Sequence, residues 1–156
     1  MLFHPYLVSM QGSWHSYQFG LNPRMSKSKN TKPEVLVQEQ LSKWQIEYEC
    51  HAKDLPGTPD LVFRQEKIAV LIHGCFWHQH GDCSISGDID KLNTDWTKKF
   101  AKSGLYDLGI ISKLNEIGWK VLILWECEIY GGVYDQTERI VRALYLNSLE
   151  LESSIK

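Results

Sequence analysis

The chain has 156 residues, 43% of them hydrophobic, which suits one globular domain burying a single core. Its formal charge is −2, from 17 basic and 19 acidic residues, which excludes a uniformly basic nucleic-acid binder but leaves room for a local basic face. Residues 1–22 hold neither a basic start nor an apolar run of signal-peptide or membrane-span length. The expected location is therefore the cytoplasm, where four cysteines read as metal ligands or buried thiols before disulfides.

The opening residues are rich in aromatics (Phe3, Tyr6, Trp14, Tyr17, Phe19) and could form an extra strand or an arm packed on the body. They set residues 1–23, an extension of unknown role, apart from a single domain over 24–156. Arg24, Lys27, Lys29 and Lys32 make one basic cluster; Lys98, Lys99 and Lys102 make another. Each is either a footprint for phosphates or a solvated face. Thr31-Lys32-Pro33-Glu34 has the form of a helix start, with a Thr cap, an early proline and a Glu able to close a capping box. Val37, Leu41 and Trp44 follow at helical spacing.

Ile46–Cys50 reads as a strand in which Cys50 is a buried free thiol, and His51–Pro59 as a loop. Strands Asp60–Phe63 and Ile68–His73 follow, joined by the polar turn Arg64-Gln65-Glu66-Lys67; the second is apolar enough to be covered on both faces. Two helices are expected over Thr94–Ala101 and Leu105–Ile117, the latter with Leu108, Ile111 and Leu114 inward and Gly118 ending it. Val121–Trp125 is a further buried strand. Asp135-Gln136-Thr137-Glu138 caps a last helix with Ile140, Val141 and Leu144 inward. This order predicts an α/β fold with a mixed central sheet flanked by helices.

The chemistry concentrates in His73-Gly74-Cys75-Phe76-Trp77-His78-Gln79-His80-Gly81-Asp82-Cys83, just past a buried strand. Cys75, His80 and Cys83 are spaced like zinc ligands, and Cys127, beyond the Val121–Trp125 strand, could be the fourth. Three thiolates and one imidazole form a closed structural site. The alternative is buried cysteines with surface histidines, but a loop with so little apolar filler needs something to hold it. His73 and His78 remain over. Asp60, at the start of the preceding strand, should lie beside the Ile72–His73 end, where a carboxylate can hold magnesium.

Four segments together resemble the very-short-patch (Vsr) mismatch repair endonucleases, across Arg24 to Ile129. They are Thr31-Lys32-Pro33-Glu34, Leu55-Pro56-Gly57-Thr58-Pro59-Asp60, His73-Gly74-Cys75-Phe76-Trp77-His78, and Gly118-Trp119-Lys120-Val121 with Trp125-Glu126-Cys127. The resemblance implies a restriction-endonuclease-like fold with a structural zinc, nicking one strand of duplex DNA beside the T·G mismatches left by deamination of 5-methylcytosine. It implies Asp60 as the magnesium-binding carboxylate and His78 as the base for the attacking water. His73 would lie next to the scissile phosphate, and Glu34 would reach the site from the first helix, unless Glu34 serves only as the capping-box acid. Ile72, where the family often has Thr, would give magnesium its backbone carbonyl.

Cys75, His80, Cys83 and Cys127 match the family's zinc ligands. Phe76, Trp77 and Trp96 resemble its aromatic wedge into the base stack, core packing being the alternative for Trp96. Arg24, Met25, Lys27 and Lys29 stand where the resemblance implies a DNA-binding arm, which is about two residues shorter here than in the family. Ser103 and Tyr106 stand where Asn and Arg are common in the family. The implied partners are mismatched double-stranded DNA and other mismatch repair proteins. The implied form is a monomer in the cytoplasm, associated with the nucleoid. Two further readings are a nuclease with another DNA target and a zinc-stabilised DNA-binding module that does not cut. Asp60, His73 and His78 weigh against the second, since a binder needs no carboxylate among spare histidines.

Overall fold

The structure is a computed structural model and describes residues 29–81, 83–84 and 94–153. Helix α1 (Lys32–Lys43) starts at the expected signal, with Thr31 extended at the N-cap and Pro33 in the first turn. Glu34 accepts hydrogen bonds from the Thr31 hydroxyl (2.8 Å) and the Asn30 amide (3.0 Å), but the Thr31 side chain makes no bond to the first helical amides, so the expected capping box does not form in full. Val37 and Leu41 are fully buried; each contributes roughly 1.5–3 kcal/mol by leaving water. Trp44 is the C-cap and meets Tyr134 edge-on at 5.1 Å. The chain then turns left-handed at Gln45 (φ 56°), and the Ile46 amide bonds back to the Leu41 carbonyl. Ile46 thus belongs to the helix end, which is why the strand expected over Ile46–Cys50 shortens to β1 (Glu49–Cys50).

Strands β2 (Leu61–Phe63) and β3 (Ile68–His73) form an antiparallel hairpin, and β4 (Lys120–Trp125) lies parallel to β3. The four-stranded sheet runs β1-β2-β3-β4. Every residue of β3 is buried, as its unbroken apolar run requires. The Asp60 amide still reaches the Val70 carbonyl at 3.0 Å, so the hairpin's pairing extends one residue beyond Leu61. Cys50 lies on the edge strand β1 and is exposed, which corrects the expectation of a buried thiol.

A parallel pair needs a crossover, and helix α2 (Thr94–Glu116) supplies it. It is one helix, not the two expected: Ser103 and Gly104 weaken a helix by no more than about 1 kcal/mol each, too little to break one this long. Its inward stripe is also displaced. Ile110 and Leu114 are buried, whereas Leu108 is 65% exposed. The helix ends at Gly118 (φ 81°), whose amide meets the Asn115 carbonyl at 2.9 Å, while the Trp119 amide meets that of Leu114 at 2.9 Å.

Helix α3 (Glu126–Ser153) begins directly after β4 and is broken by a kink at the non-helical Gly132, so its second part starts just ahead of Asp135, close to where the last helix is expected. Asp135 marks that kink: a Cβ on Gly132 would stand 3.1 Å from its carboxylate. Thr137, fully buried, donates to the Val133 and Tyr134 carbonyls, and Ile140 and Leu144 carry the inward face.

The helices cover both faces of the sheet. Val37, Leu41, Ile140 and Leu144 pack on Leu61, Val70, Ile72 and Leu124, so α1 and α3 share one layer. Ile110, Leu114 and Trp119 pack on Val62, Ala69 and Leu71, which puts α2 on the other. Gly57 (φ 74°) lets the loop before β2 press against α2; a Cβ there would meet Ile110 side-chain carbons at 2.5 to 2.9 Å.

Candidate active site and metal centre

The end of β3 gathers side chains from four directions. Asp60, at 1% exposure, accepts a hydrogen bond from the Ile72 amide through Oδ2 at 2.6 Å. Its side chain thereby continues the hairpin ladder where the β2 backbone departs. A strand residue's N–H and C=O point to the same side, so the Ile72 carbonyl also faces the Asp60 edge. The Ile72 side chain turns the other way, into the core beneath α1 and α3.

Glu34 comes from the first turn of α1 and His51 from the residue after β1. Donor atoms of Glu34, His51 and Asp60 all lie within 4.8 Å of one another. Two buried carboxylates side by side are costly, by several kcal/mol per charge, unless a cation stands between them. Oxygen donors gathered in this way suit a hard divalent ion such as magnesium.

Beyond them, His73 and His78 stack face to face, ring centres 3.8 Å apart and planes 9° from parallel. His78 Nδ1 lies 2.5 Å from Asp107 Oδ2 on α2. A carboxylate there keeps the proton on Nδ1 and leaves Nε2 with the basic lone pair. His73 is paired in register with Trp125 of β4, and their rings meet edge to face at 5.3 Å.

The cysteine-rich loop folds back over this strand end. The His78 amide bonds to the Gly74 carbonyl and the His80 amide to that of Cys75, with Gln79 left-handed between them (φ 50°). Cys75, His80, Cys83 and Cys127 converge to within 4.8 Å. The His80 Nδ1 stands 3.8 Å from Cys75 Sγ and 3.2 Å from Cys127 Sγ. A tetrahedron with metal–sulfur bonds of about 2.3 Å and a metal–nitrogen bond of about 2.0 Å has edges near 3.6 Å, so the spacing fits. The Cys127 amide donates to Cys75 Sγ at 3.3 Å, and Glu126 accepts from the Cys75 amide at 3.2 Å. Burial, with the neighbouring thiols Cys127 and Cys83, pushes the Cys75 thiol up to about 12. Such a cluster ionises readily only around a cation. His80 also stacks on Trp125 (4.2 Å, 4°), so a single indole touches both this cluster and His73.

The proposed wedge residues divide. Trp77 is 60% exposed, whereas Phe76 is half-buried and packs edge-on against Phe100 of α2 at 5.4 Å. Trp96 falls in the first turn of α2, but its side chain lies outside the described residues, as do Arg24, Met25 and Lys27. Lys29 is exposed, and Lys98, Lys99 and Lys102 are exposed on α2 around Phe100. Tyr106 is 65% exposed on the same helix and Ser103 half-buried.

Sequence reasoning missed Asp107 and His51. The signal for Asp107 was available, since it shares a helical face with Ile110 and Leu114, where an acid would be buried without purpose. His51 left a weaker one, a single histidine in a turn. Trp125 and Glu126 show in the sequence only as parts of the Trp125-Glu126-Cys127 motif.

The family model described as DNA mismatch endonuclease Vsr matches residues 20–84. The type II nicking enzyme V.XorIIP of Xanthomonas oryzae pv. oryzae is 40% identical over 104 residues, covering 66% of this chain and 75% of the relative. The nicking enzyme V.NmeAIP of Neisseria meningitidis is 40% identical over 120 residues, covering 75% and 84%. The DNA mismatch endonuclease Vsr of Escherichia coli is 33% identical over 110 residues, 70% of each chain. Identity at this level over most of a relative's length goes beyond a shared fold: the chain belongs to the DNA mismatch endonuclease Vsr family and is a DNA endonuclease.

Proposed function

We propose that the protein nicks one strand of duplex DNA beside a T·G mismatch, in very-short-patch repair, using magnesium at Asp60 and a structural zinc at Cys75, His80, Cys83 and Cys127. The observation that carries this reading is the pairing of His78 with Asp107, next to a buried carboxylate cluster at the same strand end. An oriented imidazole beside carboxylates is what phosphodiester hydrolysis needs and what a passive DNA binder does not. The mixed sheet with helices on both faces supports a restriction-endonuclease-like architecture.

Asp60, the Ile72 carbonyl and Glu34 would hold the magnesium. Bound there, it would polarise the phosphate and stabilise the leaving 3′ oxygen. His78 Nε2 takes a proton from the attacking water as the new O–P bond forms opposite the leaving group. The P–O3′ bond breaks, leaving a 5′ phosphate and a 3′ hydroxyl that gains its proton from solvent. Asp107 holds the imidazole through Nδ1 and stabilises the imidazolium that results. His73, stacked on His78, would meet the scissile phosphate. Three thiolates and one imidazole would leave no open position on a zinc held there, and its role would be to fix the loop.

A nicking assay on T·G, T·C and matched duplexes with magnesium tests the reading. Cleavage of one strand only, favouring T·G, is the expected result. Equal cleavage of all three would assign the nuclease another target, and binding without cleavage would remove the catalytic reading.

A further inference from the structure

The buried cluster at the start of β2 contains a group that the reaction described above does not use. His51 is the residue after β1; its amide donates to the Asp60 carbonyl at 3.2 Å, so its backbone is tied to a proposed ligand. It adopts a left-handed conformation (φ 52°), uncommon for a residue with a side chain and frequent at functional sites. That conformation turns the imidazole inward. Its Nε2 is buried without a hydrogen-bond partner among the described residues. Glu34 Oε2 stands 3.5 Å away but out of line for a hydrogen bond.

The 3.5 Å approach to Glu34 is close enough for an ion pair if the ring is protonated, but it leaves the buried nitrogen without a hydrogen bond, while Glu34 is already bonded to Asn30 and Thr31. A cation accounts for this arrangement. In an octahedron with bonds of about 2.1 Å, adjacent donors lie about 3.0 Å apart and opposite donors about 4.2 Å. Glu34, His51 and Asp60 fall within 4.8 Å of one another, near that scale. Each would then direct one atom at a common centre: two carboxylate oxygens and a neutral imidazole nitrogen.

We propose that His51 is a nitrogen ligand of the cation held by Glu34 and Asp60, so that the site takes manganese in preference to magnesium. The inference rests on the cation reading given above. Imidazole is a poor ligand for magnesium and a better one for first-row transition ions, whereas carboxylates serve both. One nitrogen in the set therefore tilts the choice between the ions without closing the site to either.

The test uses the full-length protein with its zinc content verified, so that added manganese does not occupy the cysteine cluster. Manganese binding is read by electron paramagnetic resonance, magnesium by competition, and directly bound nitrogen by pulsed resonance on the manganese. The wild type should bind manganese at least about tenfold more tightly than magnesium and show nitrogen coupling. His51→Asn tolerates the left-handed backbone. It should lower manganese affinity by about tenfold or more, leave magnesium within about threefold, and change the nitrogen signal.

Equal losses for the two ions would mean that His51 only supports Glu34, and would overturn the proposal. Absence of nitrogen coupling in the wild type would overturn it whether or not the variant folds. Asp60→Asn separates this failure from that of the underlying reading. If manganese binding survives that substitution unchanged, the carboxylate cluster is not the cation site and both ideas fall.

Discussion

Asp107 Oδ2 lies 2.5 Å from His78 Nδ1, joining helix α2 to the cysteine-rich loop across 29 residues of sequence. The contact does two things at once. It fixes which ring nitrogen carries the proton, and it pins a loop residue to a regular element packed on the sheet.

The pairing predicts the effect of Asp107→Asn. Asparagine keeps the shape but can offer an N–H to Nδ1, which would move the proton to Nε2 and remove the basic lone pair from the site. Single-turnover nicking should fall by about 10²- to 10⁴-fold, the usual worth of a positioned base, with little change in DNA affinity. His78→Ala should do the same. A loss below tenfold in Asp107→Asn, measured by rapid quench, would mean that His78 does not depend on its partner.

Asp60 combines a charge with a structural hydrogen bond, and two substitutions separate them. Asp60→Asn can still accept from the Ile72 amide but lacks the negative charge. It should abolish nicking while leaving the melting temperature near that of the wild type. Asp60→Ala also leaves the Ile72 amide unpaired in the interior, at a further cost of roughly 1–3 kcal/mol in denaturant unfolding. Ile72→Thr, which keeps the backbone carbonyl, should change the rate little. Near-normal nicking by Asp60→Asn would show the cation site to be elsewhere.

These side chains differ in how readily the sequence revealed them. Strand β3 and the Asp60 edge were legible because a buried hairpin leaves an unbroken apolar run and a short polar turn. The four-ligand cluster was legible because three of its members are close in the chain and chemically distinctive. The course of α2 was not: Ser103 and Gly104 look like a break, yet the packing of Ile110 and Leu114 outweighs their weak propensity. Asp107 lies within the expected stripe, one and two turns before Ile111 and Leu114, but a lone acid among apolar residues carries no sign of the partner it will meet. Exposure of Cys50 followed from a strand too short to be covered, which depended on where the end of α1 released the chain.

The cysteine cluster predicts one zinc per chain, measurable by elemental analysis. Cys127→Ser should lower zinc retention and the melting temperature, since Cys127 brings the start of α3 into the cluster. The pH dependence has a definite sign. Burial holds the Cys75 thiol up to about 12 and raises Cys127 as well, so zinc must displace thiol protons as it binds. Uptake should release protons, and apparent affinity should fall as pH is lowered. Exposed Cys50 should accept an alkylating reagent with no loss of metal, and Cys50→Ala should keep full zinc content. A metal-free preparation that stays folded and active would remove the structural role.

The last prediction concerns how a mismatch is found. A T·G wobble pair differs little in outline from a normal pair, so a nuclease that selects it gains by testing how easily the stack opens. Forcing a ring between bases costs a few kcal/mol of unstacking, least where pairing is already poor. Stacking on the parted bases returns roughly 1–3 kcal/mol per ring. Trp77 is positioned to do this: it is 60% exposed, with its ring edge-on to Phe76 at 5.2 Å, and its loop is held from behind by the Cys75 amide bond to Glu126. Phe76 is differently placed, packed against Phe100, and its first duty is to brace the loop on α2. Trp77→Ala should therefore lose more affinity for mismatched than for matched duplex, with zinc content and melting temperature unchanged. Phe76→Ala should lower the melting temperature and weaken binding to both duplexes. Trp96→Ala separates the two fates left open for that residue, following Trp77 if it is a wedge and Phe76 if it is core. Binding curves on both duplexes across a range of salt divide the aromatic contribution from that of phosphate contacts, expected from the exposed Lys98, Lys99 and Lys102, which weakens steeply with ionic strength. Equal losses for Trp77→Ala on matched and mismatched DNA would reduce the ring to a grip, and selection of the mismatch would have to come from another part of the protein.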